Sequence, residues 1–236
     1  MLVGKGVRTI AGLGLVVLGS PAAADEREAL RTVLFGGLEA GRGGFASAGF
    51  KRTLGPLDQN GFAVLGTAGA GLERDRPHEP GAPAHGRYKV QASLLSGHQW
   101  MLGWGAVALF AGPEFDYETV PGDPTARGRP RLGARLQGEA WLHPTEDTLV
   151  TLTGIAGSAR GHLWTRGSLG YRLREGLFVG PEASLYVTRE HREWRLGLHA
   201  TGLSWRDVRV RLSAGWRQDE DRRGGAYLGL TLHTQR

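Results

Sequence analysis

The feature that most constrains this chain is an alternation of apolar and polar residues held over unusually long segments. From 208 to 217 one parity carries Val208, Val210, Leu212, Ala214 and Trp216, and the other carries Arg209, Arg211, Ser213, Gly215 and Arg217. Successive side chains of a strand point to opposite faces, so one face is greasy and the other charged. The pattern recurs with Trp194, Leu196, Leu198 and Ala200 set against Glu193, Arg195, Gly197, His199 and Thr201. It recurs again with Leu132, Ala134, Leu136, Ala140 and Leu142 against Arg131, Arg135, Gln137 and Glu139, and with Val179, Ala183, Leu185 and Val187 against Glu182, Ser184 and Thr188. A soluble sandwich also alternates, so length is the better guide. These segments run about 10 to 14 residues, where soluble strands average 5 or 6 and a tilted membrane strand needs about 9 to 11. The expected fold class is all-β, an antiparallel up-and-down transmembrane β-barrel.

Twelve strands are predicted, at 32–40, 44–53, 61–71, 88–101, 104–118, 130–142, 147–159, 162–174, 177–188, 191–204, 207–217 and 225–235. An even count suits a single-chain barrel with both termini on the periplasmic side. The even-to-odd joints are mostly tight: Leu102-Gly103, His143 to Glu146, Glu175-Gly176 and Arg206-Asp207, with Leu54 to Asn60 longer. Several odd-to-even joints are long and polar, at Leu72 to Arg87, Thr119 to Arg129 and Gln218 to Gly224. Short periplasmic turns and longer outer loops are the rule for such barrels, which puts the loops around Pro80 and Pro124 outside the cell.

The N-terminus fits export. Lys5 and Arg8 precede an apolar run from Ile10 to Leu18, and Ala22-Ala23-Ala24 follows before Asp25. That is the order of a secretory signal peptide, so 1–24 is expected to be removed and 25–236 to form the barrel domain. The apolar run is too short for a spanning helix, and no later stretch offers 18 consecutive apolar residues. Glycine supplies 39 of the 236 residues without a triplet period, which suits a curved sheet and not collagen. The chain has no cysteine, so disulfides, zinc–thiolate sites and thiol nucleophiles are excluded. The formal charge of +6 is spread over both signs with no clustered basic face, so no nucleic-acid partner is expected.

Aromatic residues gather beside the joints. Phe62, Trp100, Trp104, Trp141, Phe178 and Trp205 flank the short turns, and Tyr117, Trp194, Trp216 and Tyr227 lie near the opposite ends, as two interfacial girdles would. Trp141 shares the polar parity, and Trp205 requires a bulge near Gly202 to face outward. A faint repeat, Phe110-Ala-Gly-Pro-Glu114 and Phe178-Val-Gly-Pro-Glu182, puts a proline inside two strands. Proline removes a ladder donor, so bulges are expected at Pro113 and Pro181, with Glu114 and Glu182 aimed at the lumen.

The lumen parity collects Glu114, Asp116, Arg131, Arg135, Glu139, Arg166, Arg172, Glu182, Arg195, His199, Arg209, Arg211 and Arg217. These residues form either a solute-selecting lining or a set of ion pairs that fill a narrow bore. A lipid-hydrolysing barrel would need a serine and a histidine at the rim, and His162 with Ser168 or His199 with Ser204 are the available pairs. Separations of six and five residues put such partners about 17 to 20 Å apart along one strand, so no catalytic residue is assigned. His78, His85 and His191 lack metal-cage spacing; no metal and no cofactor is expected.

The sequence resembles the alphaproteobacterial cellulose biosynthesis protein BcsS family. The resemblance is carried in order by Leu34-Phe-Gly-Gly-Leu-Glu-Ala-Gly41, Gly49-Phe-Lys-Arg52, Phe110 to Glu118, Arg129 to Trp141 with His143-Pro-Thr-Glu146, Ile155 to Trp164, and Gly180 to Tyr186. It implies an outer-membrane protein linked to cellulose production or export, surrounded by outer-membrane lipid and facing cellulose or other secretion components; the lumen parity crowded with Arg and Glu makes an accessory factor, not the sole conduit, the expected role. It supplies no functional residues. The alternatives are a general solute channel and a lipid-modifying barrel enzyme. The chain ends on His233-Thr-Gln-Arg236, where many outer-membrane barrels end on an aromatic residue.

Overall fold

The computed structural model describes residues 30–75, 85–120, 128–189, 191–220 and 224–236. The signal-peptide segment, His78, Arg127 and the loops around Pro80 and Pro124 lie outside the described residues. Twelve strands follow in order: β1 Thr32–Ala40, β2 Gly43–Thr53, β3 Gly61–Asp75, β4 His85–Leu102, β5 Gly105–Thr119, β6 Arg131–Leu142, β7 Thr148–Gly157, β8 His162–Arg174, β9 Leu177–Val187, β10 Arg192–Trp205, β11 Val208–Asp219 and β12 Gly224–Gln235. Each pairs antiparallel with its sequence neighbours, and β1 pairs with β12 from Val33↔Gln235 to Ala40↔Leu228, closing the sheet. The last residue is part of the closure: Thr32 N–H donates to Arg236 O at 2.7 Å, and Arg236 N–H donates to Thr32 O at 2.8 Å.

Some strand ends differ from the sequence-based limits for local reasons. β3 and β4 continue past the expected membrane boundary, with Glu73 opposite Arg87, an oppositely charged cross-strand pair. β7 stops at Gly157 because the chain turns there. Ala134 N–H donates to Ser158 Oγ at 2.8 Å, and Gly161 takes a φ of +61°, a left-handed conformation that glycine adopts without strain.

The outward parity is apolar all round the ring. Leu38, Leu94, Leu109, Leu136, Leu152, Leu196, Leu212 and Leu228 are exposed, and Leu198 is 67% exposed in the middle of β10. A closed sheet satisfies its own backbone groups, and only lipid makes such a belt favourable, so this is an outer-membrane barrel. Phe62, Trp100, Trp104 and Trp205 are exposed at the short-turn end, and Trp194 and Trp216 toward the other. The bulge near Gly202 is present: the β10–β11 register shifts between Thr201 and Leu203, Gly202 has φ +97°, and Trp205 turns outward. Three aromatics depart from the girdle pattern. Trp141 and Phe178 share the inner parity, and Tyr227 is buried with its hydroxyl on Glu182.

The expected bulges at Pro113 and Pro181 do not form. Pairing of β5 with β6 runs unbroken through Pro113↔Ala134, and β9 with β10 through Leu198↔Pro181. On the other side of each proline the ladder lapses without changing register, between Ser93↔Glu114 and Ser96↔Ala111 and between Ser168↔Glu182 and Tyr171↔Val179. The missing donor is therefore absorbed as a gap in one ladder. The preceding glycines fit this arrangement, since a Cβ on Gly112 or Gly180 would run into the carbonyl oxygen of Leu94 or Leu169.

Candidate functional site

The interior of the barrel is where charge, burial and unusual contacts concentrate. It has two unlike walls. On β3 to β5, toward the short-turn end, Ala63, Leu65, Leu95, Ala108 and Phe110 form a buried apolar cluster with Phe35 of β1 packed against it. On β8 to β11 the inward positions carry Arg166, Glu182, Arg195, His199, Arg211 and Arg217. Alternation fixes which parity is inward, and glycines and serines between the long side chains leave them room. A Cβ on Gly197 would meet the Tyr227 hydroxyl at 2.5 Å.

Glu182 anchors the basic wall. Its carboxylate pairs with the Arg211 guanidinium and accepts the Tyr227 hydroxyl at 3.4 Å. Arg211 also donates to Thr151 Oγ1 at 3.3 Å, and the Thr151 and Ser168 hydroxyls lie 2.6 Å apart. Toward the long-loop end Arg195 bridges Glu39 at 2.6 Å and Glu193 at 2.8 Å, and Arg217 stands 3.6 Å from Glu73. On the opposite wall Arg160 pairs with Asp116 and with Glu118 at 3.1 Å, Gln91 donates to Asp116 at 2.9 Å, and Ala159 N–H donates to Glu114 at 2.8 Å. Asp116 is only 2% exposed, so these contacts replace water almost completely.

Several contacts cross the bore. Lys89 on β4 donates to the Tyr186 hydroxyl on β9 at 3.3 Å and lies over its ring. Arg211 on β11 reaches Thr151 on β7, Lys51 on β2 stands 3.8 Å from Glu139 on β6, and Trp141 on β6 meets His233 on β12 with ring centroids 6.4 Å apart.

Of the thirteen residues assigned to the lumen by parity, Glu114, Asp116, Arg135, Glu139, Glu182, Arg195, His199, Arg211 and Arg217 take part in these networks or lie buried beside them. Arg166 stacks on Trp164 at 5.4 Å. Arg131 and Arg209 are exposed near strand ends, and Arg172 turns to the short-turn rim, bonded to Glu146 O and 3.5 Å from Asp147. Sequence reasoning missed the apolar wall, although the inward parity of β3 and β5 spells it out as Ala63, Leu65, Ala108 and Phe110. It also missed Lys51, Trp164, Tyr186 and Tyr227. The two serine–histidine pairs do not assemble: Ser168 bonds Thr151, and His199 Nδ1 lies 2.8 Å from Thr201 Oγ1. Among the described residues no group of three His, Asp or Glu side chains is placed to hold a metal.

The chain is similar in outline to the solved KdgM porin, at 10% identity and TM-score 0.49, covering 86% of this chain and 98% of that one. It is similar also to the translocator domain of the autotransporter NalP from Neisseria meningitidis, at 14% identity and TM-score 0.48, covering 89% of each. No curated protein matches the sequence. The family model described as cellulose biosynthesis protein BcsS matches residues 33–236, and the chain belongs to that family.

Proposed function

We propose that this outer-membrane barrel assists cellulose biosynthesis or export as an accessory or surface factor, not as the conduit for the polymer. The observation that carries this reading is the set of contacts crossing the bore, from Lys89–Tyr186 through Arg211–Thr151 to Trp141–His233. A glucan in transit needs a continuous polar passage with free aromatic faces against which sugar rings stack. Here cations stand over the rings of Tyr186 and Trp164, and ion pairs span the space between the walls. The family match supports the link to cellulose, and the leucine belt supports lipid as the constant partner. Cellulose or other secretion components then meet the protein at its outer end. Deleting the gene should lower or disorganise extracellular cellulose while inner-membrane synthase activity persists. Unchanged amount and texture would overturn the role.

A second reading, a general solute channel, is favoured by one feature. The inward-facing Glu39, Glu73 and Glu139 side chains keep 39%, 50% and 31% of their exposure, so water enters the bore from both ends. That reading expects steady conductance in planar bilayers without any polysaccharide machinery.

A further inference from the structure

At mid-height on the β8–β11 wall, hydrogen-bond donors outnumber the acceptors available to them. Arg211 is 6% exposed; its two terminal nitrogens are used on Thr151 and Glu182, and its Nε has no partner. His199 is 3% exposed, with Nδ1 against the Thr201 hydroxyl and Nε2 unpartnered. With the Thr201 hydroxyl donating to Nδ1, the proton sits on Nε2, and although the Leu169 backbone lies within reach of the ring, no acceptor meets Nε2–H with hydrogen-bond geometry. Arg166 stacks on Trp164 and has no carboxylate within ion-pair distance among the described residues. It is two residues from Ser168 on the same inner face, and Ser168 stands directly opposite Glu182.

The neighbouring carboxylates are already engaged. Glu182 serves Arg211 and Tyr227, and Glu39 and Glu193 serve Arg195. Arg166 and Arg211 lie within electrostatic reach of each other and of His199. Two guanidinium groups in one buried patch repel each other, and buried donors left without acceptors carry a desolvation cost. Both costs are removed by one ligand of opposite sign.

We propose that the bore contains an oxyanion-binding site between Arg166, Arg211 and His199. The Arg166 guanidinium fork matches the oxygen spacing of phosphate, sulfate and carboxylate groups, and the Nε–H of Arg211 and the Nε2–H of His199 add single donors. Arg166 is half-buried, which leaves the site an approach from the bore. The same chemistry is offered by a free inorganic anion and by an acidic group borne on a saccharide.

Calorimetry on the purified full-length barrel in zwitterionic detergent separates these sources, using inorganic phosphate, glucuronate and, as a neutral saccharide, cellobiose. Saturable binding of phosphate or of glucuronate, with none of cellobiose, is expected; the tighter of the two anions assigns the source. Arg166→Gln and His199→Gln should each weaken it by about tenfold or more, as loss of a hydrogen bond to a charged group does. Arg172→Gln, at the rim and engaged with Glu146 and Asp147, should leave it unchanged. Absence of saturable binding for both anions overturns the proposal, as does binding by Arg166→Gln equal to that of the unaltered protein.

Discussion

Trp141 on β6 and His233 on β12 meet edge to face with centroids 6.4 Å apart, although their strands stand six places apart in a ring of twelve. Strands spaced about 4.8 Å and tilted about 40° would give a round ring a diameter of about 24 Å. One indole and one imidazole cannot bridge that span, so the barrel is narrowed between β6 and β12 at its short-turn end. Lys51 and Glu139 lie 3.8 Å apart at the same end.

The first prediction concerns that constriction. Replacing Trp141 and Lys51 together by alanine removes the ring contact and the cation that faces Glu139. Conductance in planar bilayers should rise above that of the unaltered protein and become cation-selective, because Glu139 is left without its partner. Equal conductance in the two proteins would place the closure elsewhere along the bore.

Gly202 provides a stability test. Its φ of +97° and the Gly176 carbonyl oxygen lying where a Cβ would be leave no space for a side chain. Gly202→Ala should cost at least about 1 kcal/mol, read as a lower urea midpoint for unfolding from lipid vesicles. Gly138→Ala is the matched control, since its Cβ would meet only Leu109 Cδ1 at 3.9 Å.

Most of the barrel was legible because one variable, parity, determines both the lipid face and the lumen face. The same alternation located the bulge at Gly202, since Trp205 had to change face to reach lipid. Contacts between distant strands were not legible. Nothing local to Trp141 or Tyr227 says that one will find His233 or the other Glu182, because those meetings join strands that are not neighbours in the ring. The prolines misled for a different reason: a lost donor has two remedies, a bulge or a gap in one ladder, and the sequence does not choose between them. Arg172 and Arg209 have the inward parity but sit near strand ends, where a long side chain reaches the rim.

Lipid exposure is tested at two depths of the same face. Leu198 is central in β10 and 67% exposed, whereas Leu132 is the second residue of β6, near the outer end of the barrel. Leu198→Arg should lower the unfolding free energy by about 2 to 4 kcal/mol, and Leu132→Arg by about 1 kcal/mol or less. Equal costs at the two positions would contradict a bilayer centred on the middle of the strands.

Orientation is tested by chemical labelling, for which the absence of native cysteine gives a clean background. Gly103 lies in the tight β4–β5 turn with no heavy atom within 4 Å of its would-be Cβ, and Arg189 is exposed in the β9–β10 joint at the opposite end. Single cysteines at these positions therefore sample the two ends with little disturbance to the ladders. With both termini and the tight turns periplasmic, a membrane-impermeant maleimide applied to intact cells should label Arg189→Cys and spare Gly103→Cys. Permeabilising the outer membrane should then expose Gly103→Cys to the reagent. Labelling of Gly103→Cys alone on intact cells would mean the barrel is inserted the other way, placing the Trp141–His233 constriction at the cell surface and the ion-pair network beneath it.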